Sequence, residues 1–219
     1  MLEIAVDIET IANDDMVDHL PEPVVLTGNL KDPAKIEEKI RAAKQEQIAR
    51  MALSPLYGRV CAFVAIVNDD SSAVERGCIA ANSDKEEITL LRHIFSSIVG
   101  RKIVTYNGAN FDLPFIYRRA IMLGMDTREY GLSPLSEYLK RYDNKLHVDV
   151  MTAWSNFGNF EKLDNLSRAF GFSGKIEIDF SDFPKLIRTK NGRKKILDYC
   201  QQDVALTLSI YNRIAGILI

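Results

Sequence analysis

The sequence predicts an α/β fold, a mixed five-stranded sheet flanked by helices. Three observations lead there: strand-like alternation at Leu2 to Ile8, two apolar runs arranged as a hairpin, and a second half that alternates helical with strand-like text. With 219 residues, 47% hydrophobic and 26% charged, the composition is that of an ordinary globular chain with enough apolar surface for a sizeable core. Disordered, collagen-like and coiled-coil architectures are excluded. No Pro/Gly-rich linker, internal repeat or low-complexity tract divides the chain, so one domain over 1–219 is expected.

At the start, Leu2, Ile4, Val6 and Ile8 share one face of the first strand, and Glu3, Ala5, Asp7 and Glu9 share the other. A charged helical insertion is expected over about 31–53, with Ile36, Ile40, Ala43 and Ile48 as its apolar stripe. Arg59 to Val67 reads as a buried strand, Asn68-Asp69-Asp70-Ser71 as a turn, and Val74 to Ala80 as the returning strand. Ser83 and Glu86 have capping-box spacing and open a helix that turns Ile88, Leu91, Ile94, Phe95 and Ile98 inward and stops at Gly100. Then come a strand at Lys102 to Tyr106, a helix at about Leu113 to Leu123 and a short strand around His147 to Val150. Helical text at Lys162 to Phe170 and a closing helix from about Gly192 complete the chain.

Charge and hydropathy narrow the function classes. The 28 Lys+Arg against 30 Asp+Glu leave a net charge of −2, which by itself gives no bulk attraction for a polyanion. The longest apolar run, Val60 to Val67, has eight residues, far below the roughly 20 of a membrane-crossing helix. The acidic N-terminus lacks a secretory signal pattern, and Cys61, Cys78 and Cys200 form no CxxC pair. A cytoplasmic protein with reduced thiols and no membrane association is expected.

Three short patterns carry possible chemistry. Asp7 and Glu9, two apart on a strand, leave the same face; such close like charges either line a solvated edge or hold a hard cation such as Mg²⁺ or Mn²⁺. Tyr106-Asn107-Gly108-Ala109-Asn110-Phe111-Asp112 joins a strand to a helix, where a carboxylate sits at the functional rim of a sheet. Asn107, Asn110 and Phe111 suit a nucleotide and its base, although Asp112 as a helix cap with Phe111 in the core is the alternative. Tyr199 and Asp203, four residues apart, share a helix face beside the packing stripe of Ile196, Cys200, Val204 and Leu208, and are otherwise a surface pair.

Together these patterns resemble the DEDD superfamily of 3′-5′ exonucleases, whose fold is ribonuclease-H-like. The motifs are Asp7-Ile8-Glu9-Thr10, Asn107-x-x-x-Phe111-Asp112 and Tyr199-x-x-x-Asp203, in the family's order over nearly the whole chain. One branch of the superfamily places a His five residues before the last Asp; Asp198 fills that position here and Tyr199 follows, which is the Tyr branch. The wording is similar to that of the proofreading exonuclease domain of family B DNA polymerases. Nothing of polymerase size follows, so a stand-alone exonuclease is expected, without proofreading inside the same polypeptide.

The resemblance implies that Asp7, Glu9 and Asp203 hold one divalent ion, Mg²⁺ or Mn²⁺, and that Asp7 with Asp112 serves a second. Tyr199 would orient the attacking water, while Thr10, Asn107 and Phe111 would hold the terminal nucleotides. Cleavage would release nucleoside 5′-monophosphates from single-stranded DNA or unpaired 3′ ends, with a replication or repair protein as a possible partner. An RNA exonuclease of the same superfamily and a silent nucleic-acid-binding module are the rival readings. Arg188, Lys190, Arg193, Lys194 and Lys195 put five positive charges into eight residues, either a solvated helix start or a phosphate approach in which Arg193 and Lys194 touch substrate. The 31–53 helix could clamp substrate, mediate dimers or simply decorate the core. Asp149 is assigned a structural role, and none of His19, His93 and His147 is taken as the base.

Overall fold

The computed structural model describes every residue except 27, 29, 30, 70, 173 and 175–177. Strands β1 (Glu3–Ala12), β2 (Gly58–Val67), β3 (Val74–Cys78), β4 (Lys102–Thr105) and β5 (His147–Asp149) form one sheet in the order β3-β2-β1-β4-β5. β2 runs antiparallel to β1 and β3, whereas β4 runs parallel to β1 and β5 parallel to β4. The mixed five-stranded sheet is therefore as the sequence predicts.

The helices are α1 (Pro33–Ala49), α2 (Asp84–Ile98), α3 (Asp112–Met122), α4 (Leu135–Tyr138), α5 (Val150–Ser155), α6 (Leu163–Ala169), α7 (Phe183–Leu186) and α8 (Lys190–Ile214). They cover both faces of the sheet. Ile4, Val6 and Ile8 pack with Leu91, Ile94 and Phe95 of α2 and with Phe115 and Ile116 of α3. Ala5, one step along β1, packs with Cys200, Val204 and Ile210 of α8. Alternation along β1 thus directs Asp7, on the face of Ala5, towards α8.

Two features of β1 bear on function. It is the central strand, so the solvated-edge reading of Asp7 and Glu9 does not hold. It also runs further than predicted, to Ala12, and its register with β2 shifts between Glu9 and Thr10, where β2 carries the extra residue Cys61. Such bulges twist a strand locally and re-aim side chains.

Local sequence explains the ends of the longer helices. The Ser83 hydroxyl accepts the Glu86 N–H at 3.4 Å, but the Glu86 carboxylate turns to the N–H groups of Ala80 and Ala81 and does not return to Ser83, so the box is only half closed. α8 starts before Gly192, at Lys190, because the Thr189 hydroxyl accepts the Gly192 N–H at 3.0 Å and caps it. A Cβ on Gly192 would collide with the Leu186 carbonyl, so glycine lets α8 pack closely on α7. Asp69 organises the predicted turn after β2 by accepting the N–H groups of Ser71 and Ser72, and Asp70 lies outside the described residues.

The expected insertion is present as α1, which buries no side chain, followed by a 3-10 turn at Met51–Leu53 in which Met51 is buried. Ile36, Ala43 and Ile48 are only partly covered and Ile40 is exposed, so the apolar stripe does not face the core. Gln47 and Lys39 tie the helix to the carbonyls of Pro21 and Leu26 in the preceding segment. A buried ionic knot lies under the opposite layer: Glu87, fully buried, accepts two hydrogen bonds from Arg119 at 2.9 and 2.6 Å and the Val60 N–H at 3.0 Å. Among the described residues no helix is long and apolar enough to cross a membrane.

Candidate active site

Four carboxylates from three elements converge between β1 and α8. Asp7 and Glu9 come from β1, Asp112 from the first turn of α3, and Asp203 from α8. Asp112, Glu9 and Asp203 are the charges that bear most on Asp7, and Asp7 and Asp203 line one cavity of about 470 Å³ together with Asn107. Glu9, Asp112 and Asp203 are buried, and Asp7 keeps part of its surface open to the cavity.

Asp112 does not cap its helix. Its Oδ1 accepts the backbone N–H of Ile8 at 3.1 Å, while Phe111 occupies the cap position without a capping bond. The junction Asn107–Phe111 is shaped to make this possible. Asn107 adopts a left-handed φ of 66°, and a Cβ on Gly108 would collide with the Thr105 side chain, so glycine permits the tight return over β4.

Asp149 anchors the same junction. Its carboxylate accepts the N–H groups of Asn107 and Ala109, each at 3.0 Å, and those of Met151 and Thr152 at 3.1 and 3.3 Å. It is a fastening for the loop between β4 and α3. His147, two residues earlier, lies buried between the Tyr138 carbonyl at 3.0 Å and the Thr105 hydroxyl at 2.8 Å, and burial lowers its pKa.

Electrostatics shows what the cluster lacks. Burial, followed by the charges of Asp112, Glu9 and Asp203, raises the Asp7 carboxyl well above its ordinary value. Burial also lifts Asp112, to about 7, against the stabilising hydrogen bond from Ile8. Among the described residues, no Lys, Arg or His is a principal influence on Asp7 or Asp112. Such a constellation calls for a cation, and hard carboxylate oxygens suit Mg²⁺ or Mn²⁺. The donor set therefore fits the divalent ions the sequence anticipated.

Cys200 is the residue missed from sequence. Its Sγ lies 3.4 Å from Asp7 Oδ2 and 3.5 Å from the Asp7 carbonyl, and ligand atoms of Asp7, Glu9 and Cys200 all fall within 4.8 Å of one another. Its spacing of three from Asp203 on a helix was the available signal, hidden by its place in an apolar stripe. Burial and the neighbouring Asp7 push its thiol pKa well up, so it stays protonated and is a poor ligand for a hard ion.

The remaining predicted residues are placed less centrally. Tyr199, one turn before Asp203, is buried with its ring edge-on to Phe180 at 5.6 Å, and so is no surface residue. Phe111 is partly covered, 5.5 Å from the Phe115 ring. Thr10 donates to the Ala52 carbonyl at 2.7 Å, tying β1 to the end of the insertion. Within the basic run, Arg193 donates to the Ile187 carbonyl at 2.8 Å and Lys194 pairs with Asp198 at 2.6 Å. Arg188 approaches Asp14 at 3.9 Å. Three of the five basic residues of the run are thus engaged locally.

Comparison with known proteins bears on family and fold. Residues 53–217 match a family model described as a predicted 3′-5′ exonuclease related to the exonuclease domain of PolB. DNA polymerase 1 of Sulfurisphaera ohwakuensis is 25% identical over 200 residues, covering 84% of this chain and 21% of the polymerase. DNA polymerase 1 of Aeropyrum pernix is 31% identical over 118 residues, 49% of this chain and 12% of the relative. Among solved structures, a family B DNA polymerase from Pyrobaculum calidifontis matches the fold with a TM-score of 0.63 at 18% identity, covering 98% of this chain and 24% of that one. The chain thus spans a quarter or less of these relatives.

Proposed function

The chain belongs to the family of predicted 3′-5′ exonucleases related to the exonuclease domain of PolB, and from that premise we propose that it is a metal-dependent 3′-5′ exonuclease acting on single-stranded DNA or unpaired 3′ ends. The observation that carries the proposal is the convergence of Asp7, Glu9, Asp112 and Asp203, where burial and then mutual repulsion lift the Asp7 carboxyl. On this reading residues 1–219 form one exonuclease domain, supported by two apolar clusters that meet on a single sheet.

Asp7, Glu9 and Asp203 would hold one divalent ion, and Asp7 with Asp112 a second. Bound there, Mg²⁺ or Mn²⁺ supplies Lewis acidity that lowers the pKa of water and offsets charge on both reacting oxygens at phosphorus. The protein's own groups do the positioning. The Tyr199 hydroxyl would hydrogen-bond and orient the attacking water; a phenol protonated at neutral pH is a poor free base. Asn107, in the same cavity as Asp7 and Asp203, and Phe111 beside it would hold the terminal nucleotides. Thr10 completes the first motif, and Arg193 and Lys194 lie at the entry to α8 as secondary phosphate contacts. The water oxygen forms the new bond to phosphorus, the bond to the penultimate 3′-oxygen breaks, and that oxygen takes a proton. A nucleoside 5′-monophosphate and a shortened 3′-hydroxyl end result.

Incubation of the protein and Mn²⁺ or Mg²⁺ with 3′- and 5′-labelled oligonucleotides tests this. Stepwise loss from the 3′ end is expected with wild type and not with Asp7→Ala. Absence of 3′ release under either metal, or full activity in Asp7→Ala, would overturn it. Competition between matched DNA and RNA strands decides the sugar preference.

A further inference from the structure

Beyond the carboxylates, the Asn107–Asn110 turn and Phe160 separate two cavities. One is that of Asp7, Asp203 and Asn107; the other, about 620 Å³, is bounded by Ala109 and Asn110 and by the segment around Tyr142 and Phe157, and both are lined by Phe160. The Asn110 amide donates to the Asn107 side chain at 3.0 Å across this divide. A strand leaving the first cavity over this turn would meet the second.

Two cations line the second cavity, Lys140, which pairs with Glu137, and Arg141, which is framed by aromatic rings. The Arg141 guanidinium lies 4.2 Å from the Phe157 ring centroid and 5.0 Å from that of Tyr142, and the two rings meet edge to face at 5.0 Å. Among the described residues no carboxylate pairs with Arg141. Two acids line the cavity, but Asp143 accepts the Lys145 N–H and Asp149 is occupied by four backbone N–H groups. Tyr142 is 74% and Phe160 52% exposed, large apolar faces open to solvent. Tyr142 and Phe157 both hold φ at 64°, a left-handed conformation costly for aromatic residues. Strain of that kind persists where surrounding structure enforces it and clusters at binding sites.

A guanidinium with no carboxylate partner among the described residues, framed by exposed rings and next to a cavity of carboxylates, is the chemistry that receives a flexible polyanion with stacking bases. We propose that Arg141, Tyr142, Phe157 and Phe160 form a platform for the nucleotides on the 5′ side of the scissile bond of a single strand. The platform rests on the exonuclease reading above. Arg141 contacts a backbone phosphate, and the Tyr142 and Phe160 faces take bases regardless of sequence. The terminal nucleotide stays in the first cavity, beside the carboxylates.

The test compares Arg141→Ala, Tyr142→Ala and Tyr142→Phe with wild type on two substrates. Fluorescence anisotropy with a labelled single-stranded oligonucleotide in EDTA, where no cleavage occurs, reads binding alone. Tyr142→Ala should weaken binding about tenfold and Tyr142→Phe should restore it, since stacking needs only the ring face. Arg141→Ala should also reduce the dependence of log affinity on log salt by about 0.7, one phosphate contact on a single strand. With Mn²⁺, hydrolysis of the p-nitrophenyl ester of thymidine 5′-monophosphate, which carries only the terminal nucleotide, should stay within about twofold of wild type in all three variants. Unchanged oligonucleotide affinity in both alanine variants would overturn the platform. So would an equal loss on the small ester, which would place the terminal nucleotide there. If wild type cleaves neither substrate, the exonuclease reading fails, while the anisotropy comparison still decides whether these residues bind the strand.

Discussion

The Asp112 carboxylate accepts the backbone N–H of Ile8 at 3.1 Å, a hydrogen bond between residues 104 apart in the chain. It joins the second sequence motif to the first, so one side chain both belongs to the acidic cluster and fixes the strand that carries Asp7 and Glu9. These two roles separate on substitution. Asp112→Asn keeps an oxygen for Ile8 and loses the charge, whereas Asp112→Ala loses both and leaves a buried N–H unsatisfied. Both variants should be inactive, but thermal unfolding should find Asp112→Ala less stable than Asp112→Asn by about 1–3 kcal/mol. Equal stability would show that the bond does not hold the motifs together.

Acid clustering sets an unusual pH dependence for the metal-free protein. Burial lifts Asp112 from 3.8 to about 7 and Asp7 moves the same way, so the folded chain retains protons that the unfolded chain has released. Unfolding free energy then falls as pH rises through about 7, because the native state binds more protons. His147 acts oppositely below 6.5, since burial keeps it neutral in the fold while the unfolded chain would protonate it. The window that isolates the carboxylates is about pH 6.5 to 8. In EDTA, Tm should drop across that window, and Mn²⁺ should raise Tm more at pH 8 than at pH 6.5. A flat or rising Tm in EDTA would contradict the raised carboxyls of the buried cluster.

The sheet and the acidic quartet were legible because each rests on a local pattern. Alternation in β1 gave the faces of Ala5 and Asp7, and the resemblance of the motifs to a known family singled out Asp112 and Asp203, which spacing alone left open as a helix cap and a surface pair. What escaped depends on contacts distant in sequence. The bulge at Cys61 arises from pairing between β1 and β2, and the Glu87–Arg119 pair joins two helices that share no motif. Helices as short as α4 and α7, four residues each, complete too little of a 3.6-residue period to be seen. Periodicity misled at α1, where apolar spacing was present but no layer of the sheet was left to cover it.

Asp149 shows how a carboxylate outside the cluster can control it. Four backbone N–H groups depend on it, two of them in the turn that presents Asn107 to the cavity. Asp149→Ala should free that turn while leaving the metal-binding carboxylates in place. The expected result is a loss of up to about 100-fold in kcat/KM on oligonucleotides, as reacting groups drift from alignment. Mn²⁺ affinity by calorimetry should be little changed. A parallel collapse of Mn²⁺ binding would instead make Asp149 part of the metal site.

Tyr199 unites packing and chemistry in one side chain, and the two can be divided by its hydroxyl. Its ring belongs to the core and meets Phe180 edge-on at 5.6 Å. Tyr199→Phe keeps that ring, so its stability should lie within about 1.5 kcal/mol of wild type, the range for one hydrogen bond. Tyr199→Ala leaves a cavity between α8 and Phe180 and should cost about 3–5 kcal/mol. If the hydroxyl orients the attacking water, Tyr199→Phe should slow cleavage about 100-fold with Mn²⁺ affinity intact. Wild-type kcat in Tyr199→Phe would leave the residue a purely packing role, and water activation would then rest on the carboxylates of β1 and α8.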